Sequence, residues 1–526
     1  MTDYLTRLPR DLYTAAEVRL LDKIAIEQFG IPSFTLMQTA ASIAFNKLMQ
    51  KWPQARHVQV FAGSGNNAGD GYLLASLAKE QGLSTEVITL CDPEKLRGDA
   101  RLAAEWADKQ QVLITPFSDF DVEHEKDHAH PVVVDALLGI GLNREVTGDY
   151  AKAIEFINNA DRPVLAIDIP SGLSADTGAC LGVAVIADVT VTFIGLKQGL
   201  LTNQAGDYVG ELIYHPLDVP DRVFTGESSP KPAAQRIDIN STRAMLAPRA
   251  IASHKGNHGH VLVIGGDSSF GGAVIMAAEA ALRSGAGLVS VITRSVHRPA
   301  LLARRPEVMV LGTEDDEANI DDLIFRATTI VIGPGLGRGS WARSLMQKAL
   351  SAQISTNKPL VIDADALHLL AEKREQGTVE KGTGIRRDNW ILTPHPGEAA
   401  ALLNSSIGEI QDDRYAAVRQ LHDIWGGVCL LKGSGSVICT AENLQQKLFV
   451  SSEGNAGMAT GGMGDVLSGV VGSLVAQGNS LESSLCAGVC IHGEAADLSM
   501  QADGQRGMAA TDLMPYIRQL VNLAWG

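Results

Sequence analysis

Residues 454–465 combine a glycine-rich turn with a single carboxylate, Asp465, and an apolar segment, residues 466–471, follows directly. The apolar segment predicts a helix. The turn would then lie at a helix N-terminus, where free N–H groups and partial positive charge attract phosphate. A carboxylate there would repel a passively bound anion, but it suits a base that takes a proton from a hydroxyl attacking phosphorus. The stretch therefore predicts a phosphoryl-transfer site rather than a capped helix start.

A second glycine-rich turn, residues 63–71, follows the predicted strand 58–62. Its first residues satisfy the G-x-G-x-x-G/A pattern of a dinucleotide-binding turn, and Asp92 lies beyond the next predicted strand. The turn also holds two asparagines and an aspartate, so it is more polar than a plain pyrophosphate turn requires. We interpret it as a dinucleotide site, with a structural turn as the alternative.

Asp135 and Asp168 each stand at the end of a β-branched run. Ligands of open α/β sheets collect outside the carboxyl ends of the strands, so both side chains should face the crevice that the glycine-rich turn borders. Several buried carboxylates are costly unless a cation or a proton relay uses them. Asn67, Asp135 and Ser171 offer only oxygen ligands, which suit a hard monovalent or divalent cation. Asp168 remains as a candidate acid/base.

Three further loops of the second half are candidates for the phosphoryl-transfer site. Residues 432–436 follow a predicted strand and contain a lysine, hydroxyls and exposed amides that could hold phosphates, although a simple β-hairpin turn is the alternative. His395 lies between two prolines and could face substrate or be structural. Residues 333–337 suit close backbone approach, and Asp363 with Asp365 could bind magnesium through water or cap a helix.

Short β-branched runs alternate with helical patterns in both halves, which predicts two α/β domains with mostly parallel, doubly wound sheets. The first half has one or two packing helices in 14–50, a helix over 73–80, and strands over 58–62, 86–90, 132–135, 164–168 and 189–193. The second half has helix 273–284 and strands over 261–264, 288–292, 329–332, 360–363, 390–392 and 428–431. A proline-containing stretch near 220–235 breaks the alternation. We predict a domain over 1–224, a linker over 225–238 and a domain over 239–526.

Length and composition limit the classes of protein to which this chain can belong. A chain of 526 residues exceeds what one core usually supports, and its 45% hydrophobic and 20% charged content is that of a globular protein. The net charge of −16 argues against a nucleic-acid or anionic-membrane surface. We expect neither a signal peptide nor a transmembrane helix. Six scattered cysteines without a C-x-x-C pair indicate a reduced, cytoplasmic protein.

The first half resembles the YjeF N-terminal domain family, the epimerases of hydrated NADH and NADPH (NADHX and NADPHX). The resemblance runs over about residues 10–220 and rests on the motifs at 65–71, 135–139 and 168–172. It implies a Rossmann-like sheet, a potassium ion on Asn67, Asp135 and Ser171, and Asp168 as the acid/base. The implied substrate contacts are Asn66, Asn67, Ala68, Gly69, Asp70, Gly139, Ile140, Gly141, Leu142, Asn143, Arg144, Glu145 and Tyr150. Ala68 stands where the family usually has glycine.

The second half resembles the YjeF C-terminal family, a ribokinase-like branch that acts as ADP- or ATP-dependent dehydratase on hydrated NADH and NADPH. The resemblance covers about residues 240–520 and rests on the motifs at 255–256, 265–268, 280–289, 393–398 and 461–465. It implies a ribokinase-like α/β domain with Asp465 as the base. The implied contacts are Ala273, Gly337 and His395 for the substrate, and Lys432, Gly433, Ser434, Gly435, Ser436 and Gly464 for the nucleotide.

With both halves in this order, the resemblance implies repair of hydrated nicotinamide cofactors. The first domain would interconvert the R and S forms at C6, and the second would use ADP to dehydrate the S form, releasing AMP and phosphate. The resemblance also implies Mg²⁺ in the dehydratase domain, and we expect a homo-oligomer with no nucleic-acid or membrane partner. The alternatives are a small-molecule (vitamin) kinase with a non-catalytic dinucleotide-binding domain, and an NAD-dependent dehydrogenase. Preference for ADP or ATP, and for NADHX or NADPHX, stays open.

Overall fold

The computed structural model describes residues 8–120, 130–243, 245–246, 248–314, 320–375 and 386–522. These residues form two compact units, Met1–Gln235 and Arg236–Gly526. The division falls inside the stretch 225–238 that the sequence predicts as a linker. That stretch is not wholly irregular, because it contains the strand Ala234–Ile237.

The first unit alternates strands and helices over most of its length. Its elements are β1 (Asp11–Tyr13), α1 (Ala15–Glu27), α2 (Ser33–Lys51), β2 (His57–Ala62), α3 (Asn66–Glu80), β3 (Ser84–Thr89), α4 (Gly98–Lys109), β4 (Leu113–Pro116), β5 (Pro131–Ala136), α5 (Gly148–Asn159), β6 (Val164–Ile167), β7 (Val189–Phe193), β8 (Leu196–Lys197), α6 (Ala205–Tyr208), β9 (Glu211–His215), α7 (Arg222–Thr225) and β10 (Ala234–Ile237).

Seven strands of this unit form a parallel sheet in the order β4-β3-β2-β5-β6-β7-β9. The chain winds outward from β2 in one direction and then from β5 in the other, so the topological switch point lies between these two strands. Ligands of doubly wound sheets bind outside the carboxyl ends of the strands at such a point. The glycine-rich turn after β2 and the loop after β5 leave the sheet there.

Helix α3 begins earlier than the sequence predicts. The apolar pattern of this helix starts near residue 73, but the helix itself begins at Asn66, directly after Gly65. The predicted turn residues 66–70 are therefore the first helical turn. Asn66, Asn67 and Asp70 are polar and Gly69 has no side chain, so this turn lacks the apolar period by which a sequence pattern marks a helix.

The second unit repeats the alternation with a larger sheet. Its elements after β10 are α8 (Ile239–Arg243), β11 (His260–Ile264), α9 (Gly271–Arg283), β12 (Leu288–Thr293), α10 (Arg298–Arg304), β13 (Met309–Gly312), α11 (Ile320–Arg326), β14 (Thr329–Ile332), α12 (Ser340–Thr356), β15 (Leu360–Ile362), α13 (Asp365–Glu375), β16 (Trp390–Leu392), α14 (Pro396–Leu403), α15 (Ile407–Asp412), α16 (Arg414–Trp425), β17 (Val428–Leu431), β18 (Ser436–Glu442), β19 (Gln445–Ser451), α17 (Met463–Ala476), α18 (Leu481–Asp503) and α19 (Met514–Leu520).

The strand order in this unit is β13-β12-β11-β14-β15-β16-β17-β18-β19. The strands from β13 to β17 are parallel, and β17, β18 and β19 form an antiparallel meander. Strands β11, β14, β15 and β16 are wholly buried, as is usual when helices cover both faces of a parallel sheet. The loops at the carboxyl ends of β11, β14, β15 and β16 consequently share one edge of the sheet. Within the described residues, every helix is too short or too polar to cross a membrane.

Candidate active sites of the two units

A cavity of about 610 Å³ lies at the switch point of the first sheet. The helix start of α3, the loop after β5, the end of β6 and the inner faces of α1 and α2 line it. Among the predicted substrate contacts, the cavity is lined by Asn66, Asn67, Asp70, Gly139, Ile140, Gly141, Leu142, Asn143 and Arg144. These residues are brought together although the sequence separates them into two segments.

Four predicted contacts of the first unit do not line this cavity. Ala68 and Gly69 are buried inside the helix start, and an added Cβ at Gly69 would lie 2.6 Å from Sδ of Met37. Glu145 packs against Gly182. Tyr150 is hydrogen-bonded to Ser64, and burial raises the pKa of its phenol. The structure therefore places these four residues outside the cavity lining.

The three predicted cation ligands form a connected group beside the cavity. Ser171 donates to Asp135 through its hydroxyl, at 2.6 Å, and through its backbone N–H, at 2.7 Å. Asn67 donates from Nδ2 to the carbonyl of Leu138, at 3.0 Å. Its Oδ1 atom is buried and accepts no hydrogen bond from any residue that the structure describes. Asp135 is fully buried, and burial raises the pKa of its carboxyl to about 6.

Asp168 lines the cavity directly after β6 and has the left-handed backbone angle φ +68°. Such a conformation is uncommon for residues other than glycine and is frequent at functional sites. Its N–H donates to the carbonyl of Val191 at 2.7 Å. Its Oδ1 atom accepts from Lys197, from Thr192 at 3.3 Å and from the N–H of Phe193 at 3.4 Å. No donor among the described residues reaches Oδ2.

Two further carboxyl groups, Asp22 of α1 and Asp70 of α3, line the same cavity. Burial, opposed in part by Lys197, raises the pKa of Asp22 to about 6. Burial and the neighbouring charges of Asp168 and Asp22 hold the pKa of Asp70 well above its usual range. Asp99 of α4 also lines the cavity, so four carboxyl groups share it with the ammonium group of Lys197, and burial shifts Asp22 and Asp70 toward the protonated form.

Sequence reasoning missed Lys197 and Asp22. Lys197 is a single cation in the apolar run that continues from β7 into β8, and its side chain is only 1% exposed. Asp22 follows Leu21 on the buried side of α1. Only Lys197 had a readable signal, because a lone charge in an apolar run requires a partner, whereas Arg19 and Lys23 stand near Asp22 in the sequence.

A pocket of about 350 Å³ in the second unit contains Asp465. It is lined by two residues after β15, by the start of α14, by the turn after β17 and by the first turn of α17. Among the predicted residues, it brings together His395, Lys432, Gly433, Gly464 and Asp465. The phosphoryl-transfer site predicted from residues 454–465 thus lies beside the predicted nucleotide loop.

The glycine-rich turn places α17 against this pocket. Gly462 is the N-cap residue and has φ +94°, a conformation that favours glycine. At Gly464 an added Cβ would lie 3.2 Å from Nζ of Lys432, so a side chain would crowd the lysine. The N–H groups of Gly464 and Asp465 have no acceptor among the described residues. The pocket therefore borders a helix N-terminus with free donors, which suits a phosphate group.

Four charged side chains meet in this pocket. Nζ of Lys432 lies 2.8 Å from Oδ1 of Asp363 and 3.7 Å from Oε2 of Glu398. Burial lowers the pKa of Lys432, but the two carboxylates outweigh that effect and the net shift is upward. Burial, together with the charge of Asp363, raises the pKa of Asp465 to about 7. Burial, opposed by Lys432, raises the pKa of Glu398 to about 7.

His395 has a structural contact in addition to its place in the pocket. Its Nδ1 atom accepts from the N–H of Gly397 at 2.9 Å and caps α14. Its Nε2 atom lies 3.3 Å from Oε1 of Glu398. Glu398 belongs to the motif at 393–398, but the sequence does not place it in the site, because its contact with Lys432 forms only in the folded chain.

The remaining predicted contacts lie outside the pocket. Residues 432–435 connect the antiparallel strands β17 and β18, so this loop is a hairpin turn as well as a candidate nucleotide loop. Arg414 supports the turn by donating to the carbonyl of Lys432 at 3.2 Å. Gly337 donates to Asp365 at 2.9 Å. Predicted residues that do not line the pocket are Ala273, Gly337, Ser434, Gly435 and Ser436.

Across the described ranges, no three His, Cys, Asp or Glu side chains are grouped as ligands of one metal ion. Asp363 is paired with Lys432, and Asp365 begins α13 and lies 3.5 Å from Arg338. The second unit therefore supplies carboxylate oxygens near the phosphate site but no complete protein cage for magnesium.

Two family models match the chain. The model described as NAD(P)H-hydrate dehydratase matches residues 261–519. The model described as YjeF-related protein N-terminus matches residues 33–199. Each match lies within one of the two structural units.

Curated relatives match over nearly the whole chain. The bifunctional NAD(P)H-hydrate repair enzyme of Coxiella burnetii is 45% identical, covering 97% of this chain and 99% of that protein. The bifunctional NAD(P)H-hydrate repair enzyme of Escherichia coli is 39% identical, covering 99% of this chain and 97% of that protein. Each of these two matches therefore includes both units, in the same order.

Solved structures that match cover about half of the chain. A ribokinase-like superfamily protein of Enterococcus faecalis is 29% identical, with a TM-score of 0.49, and covers 54% of this chain and 94% of its own. The ADP/ATP-dependent NAD(P)H-hydrate dehydratase of Bacillus subtilis, co-crystallised with ATP and Mg²⁺, is 25% identical, with a TM-score of 0.47, and covers 54% of this chain and 97% of its own.

Proposed function

The chain belongs to the family of bifunctional NAD(P)H-hydrate repair enzymes, with an epimerase unit followed by a dehydratase unit, and from this premise we propose which residues perform each reaction. The substrate is a nicotinamide ring that has added water and carries a hydroxyl at C6 in the R or S configuration. The first unit interconverts the two configurations, and the second restores NADH or NADPH from the S form. We assign the first reaction to Asp168 and the second to Asp465, with ADP as phosphoryl donor.

The observation that best supports the dehydratase proposal is the position of Asp465. Its carboxyl group lies in the first turn of α17, in the pocket that also contains Lys432, and its pKa of about 7 suits a base at neutral pH. We propose that it takes the proton of the S-form hydroxyl while that oxygen attacks the terminal phosphorus of ADP. The phosphorus bond to the bridging oxygen breaks, and AMP leaves. The free N–H groups of α17 and the ammonium of Lys432 then offset the charge on the transferred phosphoryl group.

Loss of phosphate completes the dehydration. The C6–O bond breaks, phosphate leaves with the electron pair, and a proton leaves C5, which restores the ring double bond. The sum is hydrate plus ADP giving NADH or NADPH, AMP and phosphate. A small-molecule kinase would instead release a stable phosphorylated product.

For the epimerase we propose that Asp168 exchanges a proton with the C6 oxygen. The hydroxyl leaves as water, the ring nitrogen takes up the positive charge, and water then adds to either face of the ring. Asp168 accepts the proton when water adds, and it returns the proton when the hydroxyl leaves by the reverse path. Its Oδ2 atom is the one without a donor among the described residues, which supports its role as the reacting oxygen.

We propose that Asn67, Asp135 and Ser171 hold a potassium ion. The unpartnered, buried Oδ1 of Asn67 and the buried carboxyl of Asp135 are oxygen donors that suit a hard cation. A bound cation would supply positive charge beside the loop after β5. That loop carries several of the proposed substrate contacts, so binding of the cation by these three residues would affect the shape of the cavity.

Replacing potassium by tetramethylammonium at equal ionic strength is expected to lower the epimerisation rate and the thermal unfolding midpoint of the first unit. The reason is that Asp135 and Asn67 lose the charge that offsets their burial. Unfolding followed by circular dichroism and epimerisation followed by chromatography of the two forms would measure both effects. The Asn67→Ala variant is the control and should not respond to the change of salt. Equal midpoints for the wild type in both salts would contradict the assignment.

Magnesium fits the second unit as a complex with the nucleotide. Carboxylate oxygens near the phosphate site are ligands of the type that Mg²⁺ prefers, but Asp363 is already paired with Lys432. We therefore propose that magnesium binds chiefly to the phosphates and offsets their charge. Asp363 and Glu398 would hold Lys432 at the phosphate position.

The dehydration rate is expected to fall as pH drops below about 7, because only the ionised form of Asp465 accepts the proton and its pKa is raised to about 7. Lys432 lowers the pKa of Asp465, so the Lys432→Met variant should move this acid limb to higher pH. Rates at saturating ADP and S-form substrate, measured from pH 5 to 9 (the range around that pKa), test the prediction. The epimerisation profile of Lys432→Met serves as the control and should match the wild type. An acid limb near the usual carboxyl pKa of about 4 would contradict a raised pKa at Asp465.

The experiment that tests the whole proposal uses a mixture of R and S hydrates of NADH with ADP, magnesium and potassium. Complete return of dihydronicotinamide absorbance, with AMP and phosphate formed in equal amounts, is the expected result. Recovery that stops at the S fraction would contradict the epimerase assignment. A stable phosphorylated product would contradict the dehydratase assignment and indicate a kinase.

A further inference from the structure

Lys197 is buried at the floor of the epimerase cavity, although a lysine is costly to bury. Its ammonium group donates to Asp168, to the hydroxyl of Thr192 at 3.0 Å and to the carbonyl of Phe193 at 3.1 Å. An ammonium group has three donors, and each one has an acceptor here. The side chain is therefore held in one position and cannot move to the substrate without losing these bonds.

The same contacts fix the carboxyl group of Asp168. Lys197, Thr192 and the N–H of Phe193 all donate to Oδ1, and the Asp168 backbone is tied to Val191. Oδ2 is left without a donor among the described residues, in a side chain that is 18% exposed to the cavity. The donors come from β7 and β8, which are rigid elements of the fold. Such a clamp can orient a reacting oxygen without touching the substrate.

Lys197 also distinguishes Asp168 from the other carboxyl groups of the cavity. Asp22 and Asp70 have no ion pair among the described residues, whereas Asp168 has a direct one. The charged groups that face the cavity are Asp22 and Arg19 of α1, Asp70 of α3, Asp99 of α4, Arg144 of the loop after β5, and Lys197. Arg19 donates to the carbonyl of Ile140 at 3.0 Å, so its charge is directed at the loop. When their environments give similar carboxyl groups different pKa values, one group can act as the acid and another as the base of a reaction.

We propose that Lys197 is the positioning residue of the epimerase: through its contact with Oδ1 it fixes the Asp168 carboxyl group and leaves Oδ2 free to exchange a proton with the C6 oxygen. This rests on the proposed role of Asp168. A proton passes from the carboxyl group of Asp70, whose pKa burial holds well above its usual range, to the leaving hydroxyl, the C6–O bond breaks, and water departs. A water molecule adds to the other face, Asp168 takes its proton, and the proton returns to the carboxylate that donated the first. No electron is exchanged and no co-reactant is needed.

The test compares Lys197→Met with the wild type in the full-length enzyme. The epimerisation kcat is expected to fall about 10²-fold, the scale of a displaced catalytic group, while KM stays close to the wild-type value. A change in KM alone, or an unchanged kcat, would overturn the proposal. Dehydration of pure S-form substrate is the internal control and should be unaffected.

A second pair of measurements separates charge from packing. Lys197→Ala removes three methylene groups and the ammonium, so propylammonium has the shape of the missing part. Propylammonium is expected to raise the epimerisation rate of Lys197→Ala several-fold, and 1-propanol, which has the same length without the charge, should not. Equal effects of the two compounds would overturn the proposal.

Thr192→Val keeps the inference testable where the lysine variants do not fold. It removes one hydroxyl between Lys197 and Asp168 and nearly preserves the volume. A fall in kcat of about 2- to 10-fold is expected, the range of one hydrogen bond. An unchanged kcat would overturn the proposal. If Asp168→Asn itself remains active, the proposed function fails; if Asp168→Asn is inactive but the Lys197 and Thr192 variants behave as wild type, only the positioning role fails.

Discussion

Replacing Asp465 by asparagine is expected to lower the dehydration rate by about 10²- to 10⁴-fold, the range that loss of a general base produces, and to leave epimerisation unchanged. Asparagine has nearly the same shape, so the first turn of α17 and the Lys432–Asp363 pair at 2.8 Å should persist. It cannot accept the proton of the attacking hydroxyl. Binding of ADP should be retained, because the substitution removes a negative charge next to the phosphates.

The measurement uses pure S-form substrate with ADP and magnesium, and follows both dihydronicotinamide absorbance and AMP. Titration calorimetry with ADP shows whether the nucleotide site is intact. Loss of dehydration with retained ADP binding supports the role of Asp465 as base. Equal loss of dehydration and epimerisation, or a variant with the wild-type rate, would exclude this division of labour between the units.

Replacing Asp168 by asparagine is expected to lower the epimerisation rate by a comparable factor of about 10²- to 10⁴-fold, with dehydration of the S form unaffected. The asparagine oxygen can still accept from Thr192 and Lys197, so the cavity should keep its form. The substituted side chain cannot take a proton from water that adds to C6. In a mixture of R and S hydrates, fast recovery of absorbance should stop at the S fraction.

The Asp168→Asn and Asp465→Asn variants are matched controls for each other, since each changes one carboxyl group in a different unit. A mixture of the two variant proteins should recover the whole absorbance, because the free substrate can pass from one protein to the other. Incomplete recovery by that mixture would show that at least one substitution damages more than its own reaction. A hydrate sample without enzyme corrects for spontaneous epimerisation.

Much of the fold can be predicted from the sequence because buried parallel strands are nearly continuous β-branched runs. The strands 189–193, 329–332, 390–392 and 428–431 have the predicted bounds. The α/β class and the doubly wound sheets are confirmed, as is membership of the hydrate-repair family. The start of α3 was wrong, because its polar first turn lacks the apolar period that marks a helix.

The candidate catalytic residues could be found because local sequence explains them. Asp465 follows a run of glycines, which is typical of a turn whose backbone lies close to a ligand. Asp168 ends a β-branched run, and open sheets bind their ligands at the ends of such strands. Their roles stay predictions until the variants are measured. Glu398 and Lys197 were not assigned to a site, since each depends on a partner far away in the sequence.

The sequence by itself determined the two α/β units, the switch-point crevice of the first and the chemical types of side chain at the strand ends, because backbone periodicity and glycine turns are local properties. Only the tertiary structure decided which carboxyl groups share a cavity and which of them has a cation. Asp168 is paired with Lys197, whereas burial raises the pKa of Asp22 to about 6 and that of Asp465 to about 7. Protonation depends on desolvation and on charges a few ångströms away, and folding alone sets both.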